Sequence, residues 1–109
     1  MRQAEVYYKN TLAGIITEND EGYLFQYDKK YLDNKNPKPI SLTLPIQENP
    51  YKSKILFPFF DGLIPEGWLL NIAVSNWKIN PRDRFGLLLT LCKDCIGCIS
   101  VLPKKIENE

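Results

Sequence analysis

Three cysteines, Cys92, Cys95 and Cys98, stand at the C-x-x-C-x-x-C spacing that holds iron–sulfur clusters. In bacterial ferredoxins a fourth cysteine follows after three more residues, with a proline next. Here Leu102 occupies the cysteine's place ahead of Pro103. A tetrahedral site needs four donors, and the chain has no histidine to supply the missing one. Ile96, Ile99 and Val101 interleave with these cysteines and point to a segment running into a buried strand. An odd number of cysteines crowded together is also unlike a secreted disulfide framework. The thiols are therefore expected to be reduced core residues, with no metal and no cofactor. A colourless, metal-free protein is the matching expectation against a redox or metal-binding role.

Paired carboxylates are the other candidate chemistry. Asp61, Glu66, Asp83 and Asp94 all sit beside aromatic residues or glycine-containing turns, where general acid–base pairs can be built. In such places Asp and Glu more commonly cap helices and shape turns. The absence of histidine removes the commonest general base and every Ser-His or Cys-His nucleophile pair. No phosphate-binding glycine loop, nucleophile elbow or kinase catalytic loop accompanies the carboxylates. The residues argue for a binding protein and against an enzyme.

The most informative binding candidate is a tryptophan. At about 100° per residue, a helix from Pro65 to Trp77 gathers Leu69, Leu70, Ile72, Ala73, Val74 and Trp77 into one apolar face. Trp68 falls on the opposite side, beside Asn71 and Ser75. Either a neighbouring loop covers the indole or it is an exposed anchor for a partner. The second alternative makes Trp68 the centre of a partner-binding site flanked by Pro65, Glu66, Asn71 and Ser75, since tryptophan is strongly enriched at binding hot spots.

Bulk properties bound the rest. The 109 residues, 44% hydrophobic and 25% charged, suit a single domain spanning 1–109. Fourteen basic side chains against 13 acidic ones leave a net charge of +1, without the positive field that binding nucleic acid requires. The N-terminus carries no apolar leader, and no apolar run approaches the length of a membrane span. A cytoplasmic location is expected.

The elements that must position these residues form an α+β pattern: an antiparallel β-sheet, a meander of about five strands, with two to three helices inserted before the last strand. Val6 and Tyr8 mark the first strand, and Lys9-Asn10 a turn in which Asn10 can adopt the left-handed conformation. Leu12 to Thr17 continue as the second strand. After the turn Asn19-Asp20-Glu21-Gly22, the alternating Tyr23, Phe25 and Tyr27 form the third. These aromatic residues could stack bases on a sheet, but such residues more often form core. Lys29 to Pro39 reads as a loop or short helical turn. Ile40, Leu42 and Leu44 alternate as a fourth strand, and Gln47 to Lys54 reads as a loop. Helical character begins near Phe57-Pro58-Phe59-Phe60. Asn80-Pro81-Arg82-Asp83 has the form of an N-cap and first turn for a helix reaching Leu91, with Asn80 as the cap. Ile99 and Val101 alternate in the last strand, before a charged tail.

Three segments together carry a family resemblance: Pro39-Ile40-Ser41-Leu42-Thr43-Leu44-Pro45, Phe59-Phe60-Asp61-Gly62-Leu63-Ile64-Pro65-Glu66-Gly67, and Asp94-Cys95-Ile96-Gly97. In this order and spacing the chain resembles the N-terminal subdomain of HipA-type serine/threonine kinase toxins, from the Val6 strand through Gly14 and Phe25-x-Tyr27-Asp28 to Val101-x-Pro103. Family members commonly carry Gly where Cys92 stands and Ala where Cys98 stands, which favours packing over metal binding. The resemblance covers the subdomain and not the kinase core, and so extends to the HipS antitoxins of tripartite HipBST toxin–antitoxin systems. It implies an antitoxin that neutralises a HipT-like kinase toxin by blocking its active site, in a ternary complex with a HipB-like DNA-binding protein. The alternative is a structural subunit that completes and supports the kinase.

Overall fold

The apolar alternation at the start of the chain folds into a three-stranded meander of β1 (Arg2–Tyr8), β2 (Thr11–Asn19) and β3 (Gly22–Tyr27). A computed structural model describes residues 2–64, 80, 82–91 and 99–104. After β3 come helix α1 (Lys29–Leu32), the short strand β4 (Tyr51–Ser53), and helices α2 (Pro58–Asp61) and α3 (Arg84–Leu91). The last described element, β5 (Ile99–Lys104), returns to the sheet. The five strands lie in the order β4-β3-β2-β1-β5, all neighbours antiparallel. This is the α+β class expected from the sequence, with three helices among the described residues.

Period-two alternation assigns the two faces of the sheet. Ala4, Ile16, Phe25 and Tyr51 stand opposite one another across β1 to β4 and face the helices. Tyr23, Phe25 and Tyr27, on the same face of β3, each meet a different helix. Tyr23 is 5.8 Å from Phe85 of α3, Phe25 is 5.6 Å from Phe60 of α2, and Tyr27 stacks at 6.0 Å on Tyr31 of α1. Phe25 and Tyr27 are buried and Tyr23 is partly buried, so these aromatics are the seam between sheet and helices. Truncating Phe25 or Phe60 to alanine removes contacts worth about 3–5 kcal/mol.

Two glycines are required by close approach. A side chain at Gly14 would collide with the Gln26 carbonyl and the Phe25 ring. Gly22 closes the β2–β3 turn at φ 134 against the backbone of Ser53. Beside Gly14, the pairing slips by one residue: Val6 faces Gly14 and Tyr7 faces Leu12. The extra residue, Ala13, is fully buried, and its carbonyl accepts the N–H of Asp28 at 2.8 Å.

Three local expectations are corrected. The left-handed residue of the β1–β2 turn is Lys9, at φ 56, and not Asn10. The fourth strand is Tyr51–Ser53, inside the stretch read as a loop. Its three residues are too few to show alternation, and pairing with the open edge of β3 makes it a strand.

Ile40 to Leu44, read as that strand, is instead a tight turn. The Leu44 N–H donates to the Ser41 carbonyl at 3.1 Å, and the hydroxyls of Ser41 and Thr43 are 2.9 Å apart. Ile40 and Leu44 turn inward, while Leu42 at the tip is 95% exposed. The physical reason lies across the sheet. The buried Tyr27 hydroxyl accepts the Ile40 N–H at 3.1 Å and donates to the Leu44 carbonyl, drawing the ends of the segment together. The Tyr31 hydroxyl donates to the Lys38 carbonyl at 2.5 Å and the Tyr51 hydroxyl to the Pro45 carbonyl at 2.6 Å.

Candidate partner-binding site

Pro65, Glu66, Trp68, Asn71 and Ser75, the expected partner-binding residues, lie outside the described residues, as do the helix expected to carry them and Cys92, Cys95 and Cys98. What the structure places is the frame on either side of that segment: α2 with Gly62 to Ile64 before it, and Asn80 with the start of α3 after it.

Proline at position 58 starts α2 at little cost, because its missing N–H falls where a helix has no acceptor. Phe60 buries completely and Ile64 nearly so. On the far side, Asn80 Oδ1 accepts the N–H of Arg82 at 3.0 Å, and the Asn80 carbonyl accepts the N–H of Asp83 at 3.1 Å. Asp83 Oδ1 then accepts the N–H of Gly86 at 3.1 Å. Asp83 is thus the residue that caps α3, three positions later than the expected Asn80, which makes the preceding turn. Phe85, Leu87 and Leu88 bury the helix against the core.

Ion pairs clasp this frame. Arg84 Nε lies 2.6 Å from Asp61 Oδ1, joining the end of α2 to the first residue of α3. Arg2 engages two carboxylates in bidentate fashion: Glu18 through Nε and Nη2 at 2.7 and 2.9 Å, and Asp83 through Nη1 and Nη2 at 2.9 and 2.8 Å. Its guanidinium also lies 5.3 Å from the Phe85 ring centre. Hydrogen bonds from Arg2, with help from the Gly86 N–H, hold the Asp83 carboxyl below its ordinary value against the opposing effect of burial. The same bonds, from Asp83 first and Glu18 second, raise the Arg2 pKa still further, so the guanidinium stays charged.

Of the candidate carboxylates, Asp61 and Asp83 therefore serve as an ion-pair partner and a helix cap. Glu66 and Asp94 lie outside the described residues. Among the described residues no cluster of Cys, Asp or Glu could hold a metal ion. No described helix is long and apolar enough to cross a membrane. The Arg2 clasp was missed in the sequence, since its members are separated by 16 and 81 positions and no local pattern links them.

Comparison with known proteins agrees with this architecture. The profile of the HipA N-terminal domain matches residues 4–102. A solved structure of the N-terminal domain of HipA toxin superposes with a TM-score of 0.74 at 30% sequence identity, covering 96% of this chain and 94% of that one. An uncharacterized protein of Haemophilus influenzae is 30% identical over 105 residues, 96% of this chain and 95% of its own length. Two putative kinases of Sinorhizobium fredii, Y4mE and Y4dM, are 30% and 24% identical over 108 residues. The match spans 26% of the length of each kinase. With the profile, the fold and the full-length relative in accord, this chain belongs to the HipA N-terminal domain family.

Proposed function

We propose that this chain is a non-catalytic antitoxin of the HipS class, which docks on a HipT-like serine/threonine kinase toxin and blocks its active site. A HipB-like DNA-binding protein would complete a ternary complex in the cytoplasm. One observation carries the reading. The same domain forms 95% of one relative and 26% of two putative kinases, so the family contains it both nearly alone and joined to a much longer remainder. A domain that sits beside a kinase core in one chain is suited to dock on a related core supplied by another. The absence of histidine and of nucleotide-binding motifs favours binding over catalysis.

Trp68 is the proposed anchor, with Pro65, Glu66, Asn71 and Ser75 around it. Truncation of such an anchor typically costs at least ~2 kcal/mol, or roughly thirtyfold in affinity. Co-expression of Trp68→Ala with the kinase should therefore restore toxicity while the variant remains folded. Full protection of growth by folded Trp68→Ala removes the tryptophan from the site.

The two putative kinases also favour a second reading, in which the domain supports kinase activity as a structural subunit. Phosphorylation assays with and without the purified chain separate the two. Inhibition supports the antitoxin reading, and stimulation supports the structural subunit.

A further inference from the structure

We infer that Leu42, at the tip of the Pro39–Pro45 turn, is a second contact point for the kinase partner, separate in sequence from the Trp68 segment. The inference rests on the proposed docking on a HipT-like kinase and adds to it a surface that the expected site did not include. Leu42 and Ile55 are the large apolar side chains most exposed among the described residues, at 95% and 69%. A single exposed leucine is ordinary; the way this one is displayed is not.

Its turn is fixed by the Tyr27, Tyr31 and Tyr51 hydroxyls, which bind backbone at Ile40, Leu44, Lys38 and Pro45. The hydroxyls of Ser41 and Thr43 brace the tip. A side chain presented on so constrained a backbone loses little further entropy when a partner covers it. The stretch of sequence that carries it has the low charge found at the centre of a protein interface. No ionisable side chain occurs from Pro39 to Gln47, although a quarter of the chain is charged. Ile55, by contrast, stands in a concavity it shares with Lys54, Asp61 and Arg84. The occupant follows from the relatives: in the putative kinases this domain makes up 26% of the chain, so it has a kinase core as a permanent protein neighbour. A preorganised, uncharged apolar tip suits such a neighbour.

The test is a titration of a purified HipT-like kinase with the wild-type chain and with Leu42→Lys, Ile55→Lys and Trp68→Ala, alongside thermal melts of each. Leu42→Lys should weaken binding at least tenfold, about 1.4 kcal/mol, with an unchanged melting temperature, and Ile55→Lys should bind as wild type. Wild-type affinity of Leu42→Lys, with Trp68→Ala impaired, overturns the Leu42 contact and leaves the docking reading standing. A large drop in melting temperature for Leu42→Lys makes the residue structural and also overturns it. Failure of the wild-type chain to bind the kinase removes both. Concentration-dependent dimerisation of the free chain that Leu42→Lys abolishes would assign the tip to a second copy and refute the kinase contact.

Discussion

The Pro39–Pro45 turn and the clasp around the Trp68 segment are both held by side chains reaching across the fold, but by opposite means. The turn is fixed by neutral phenols, of which Tyr27 is buried and bonds to two backbone groups. The clasp is fixed by charges at the surface, with the Arg2 side chain 40% exposed. Buried neutral hydrogen bonds are scarcely screened by salt and are costly to leave unmade. Exposed ion pairs are weaker and respond to salt and acid. Of these two regions, the turn should therefore be the less sensitive to salt and acid, and the ion pairs beside the proposed partner-binding segment the more sensitive.

The sharpest way to break this comparison is Tyr27→Phe. It strands the Ile40 N–H and the Leu44 carbonyl in the core, each costing about 1–3 kcal/mol, so urea denaturation should show a loss of about 3 kcal/mol. A loss under about 1 kcal/mol would mean that the turn closes without the phenol. Arg2→Met should have a smaller effect, about 1–2 kcal/mol, because solvent screening discounts its four charged hydrogen bonds. High salt should reproduce part of that loss in the wild type and little in Arg2→Met, since the Debye length falls to about 3 Å at 1 M. Equal salt sensitivity in both proteins would place the charge effect elsewhere.

The smallest effects separate the two regions by pH. The Asp83 carboxyl is held below its ordinary value of 3.8, first by the Arg2 hydrogen bonds. Its contribution is complete above that value and disappears as pH falls through the lower folded one. The Tyr27 phenol is pushed from 10.0 up to about 12, chiefly by burial. Its contribution is complete below pH 10.0 and is lost as pH rises toward about 12. Melting temperatures across pH should thus show an acid limb flattened by Arg2→Met and an alkaline limb flattened by Tyr27→Phe. The reverse pairing would contradict the assignment of forces to regions.

Much of the fold was legible locally. The alternations in β1 to β3 and β5 marked the strands, and Phe57 to Phe60 marked the onset of helix, because two-residue periodicity and turn chemistry are properties of neighbouring residues. The family motifs were legible as well. The apolar Pro39–Pro45 stretch misled because it alternates as a strand does, while its shape depends on a hydroxyl supplied by Tyr27. Asn80 has the chemistry of a cap, and only the backbone path shows that Asp83 performs that role.

By itself, then, the sequence determined the α+β class, the family and the absence of histidine, all of which are written in local pattern and residue type. Tertiary structure decided that three residues at the edge of β3 become a strand, that Leu42 stands in solvent, and that Arg2 joins Glu18 to Asp83. Each of these depends on partners distant in sequence, brought within hydrogen-bond reach only when the sheet and helices pack.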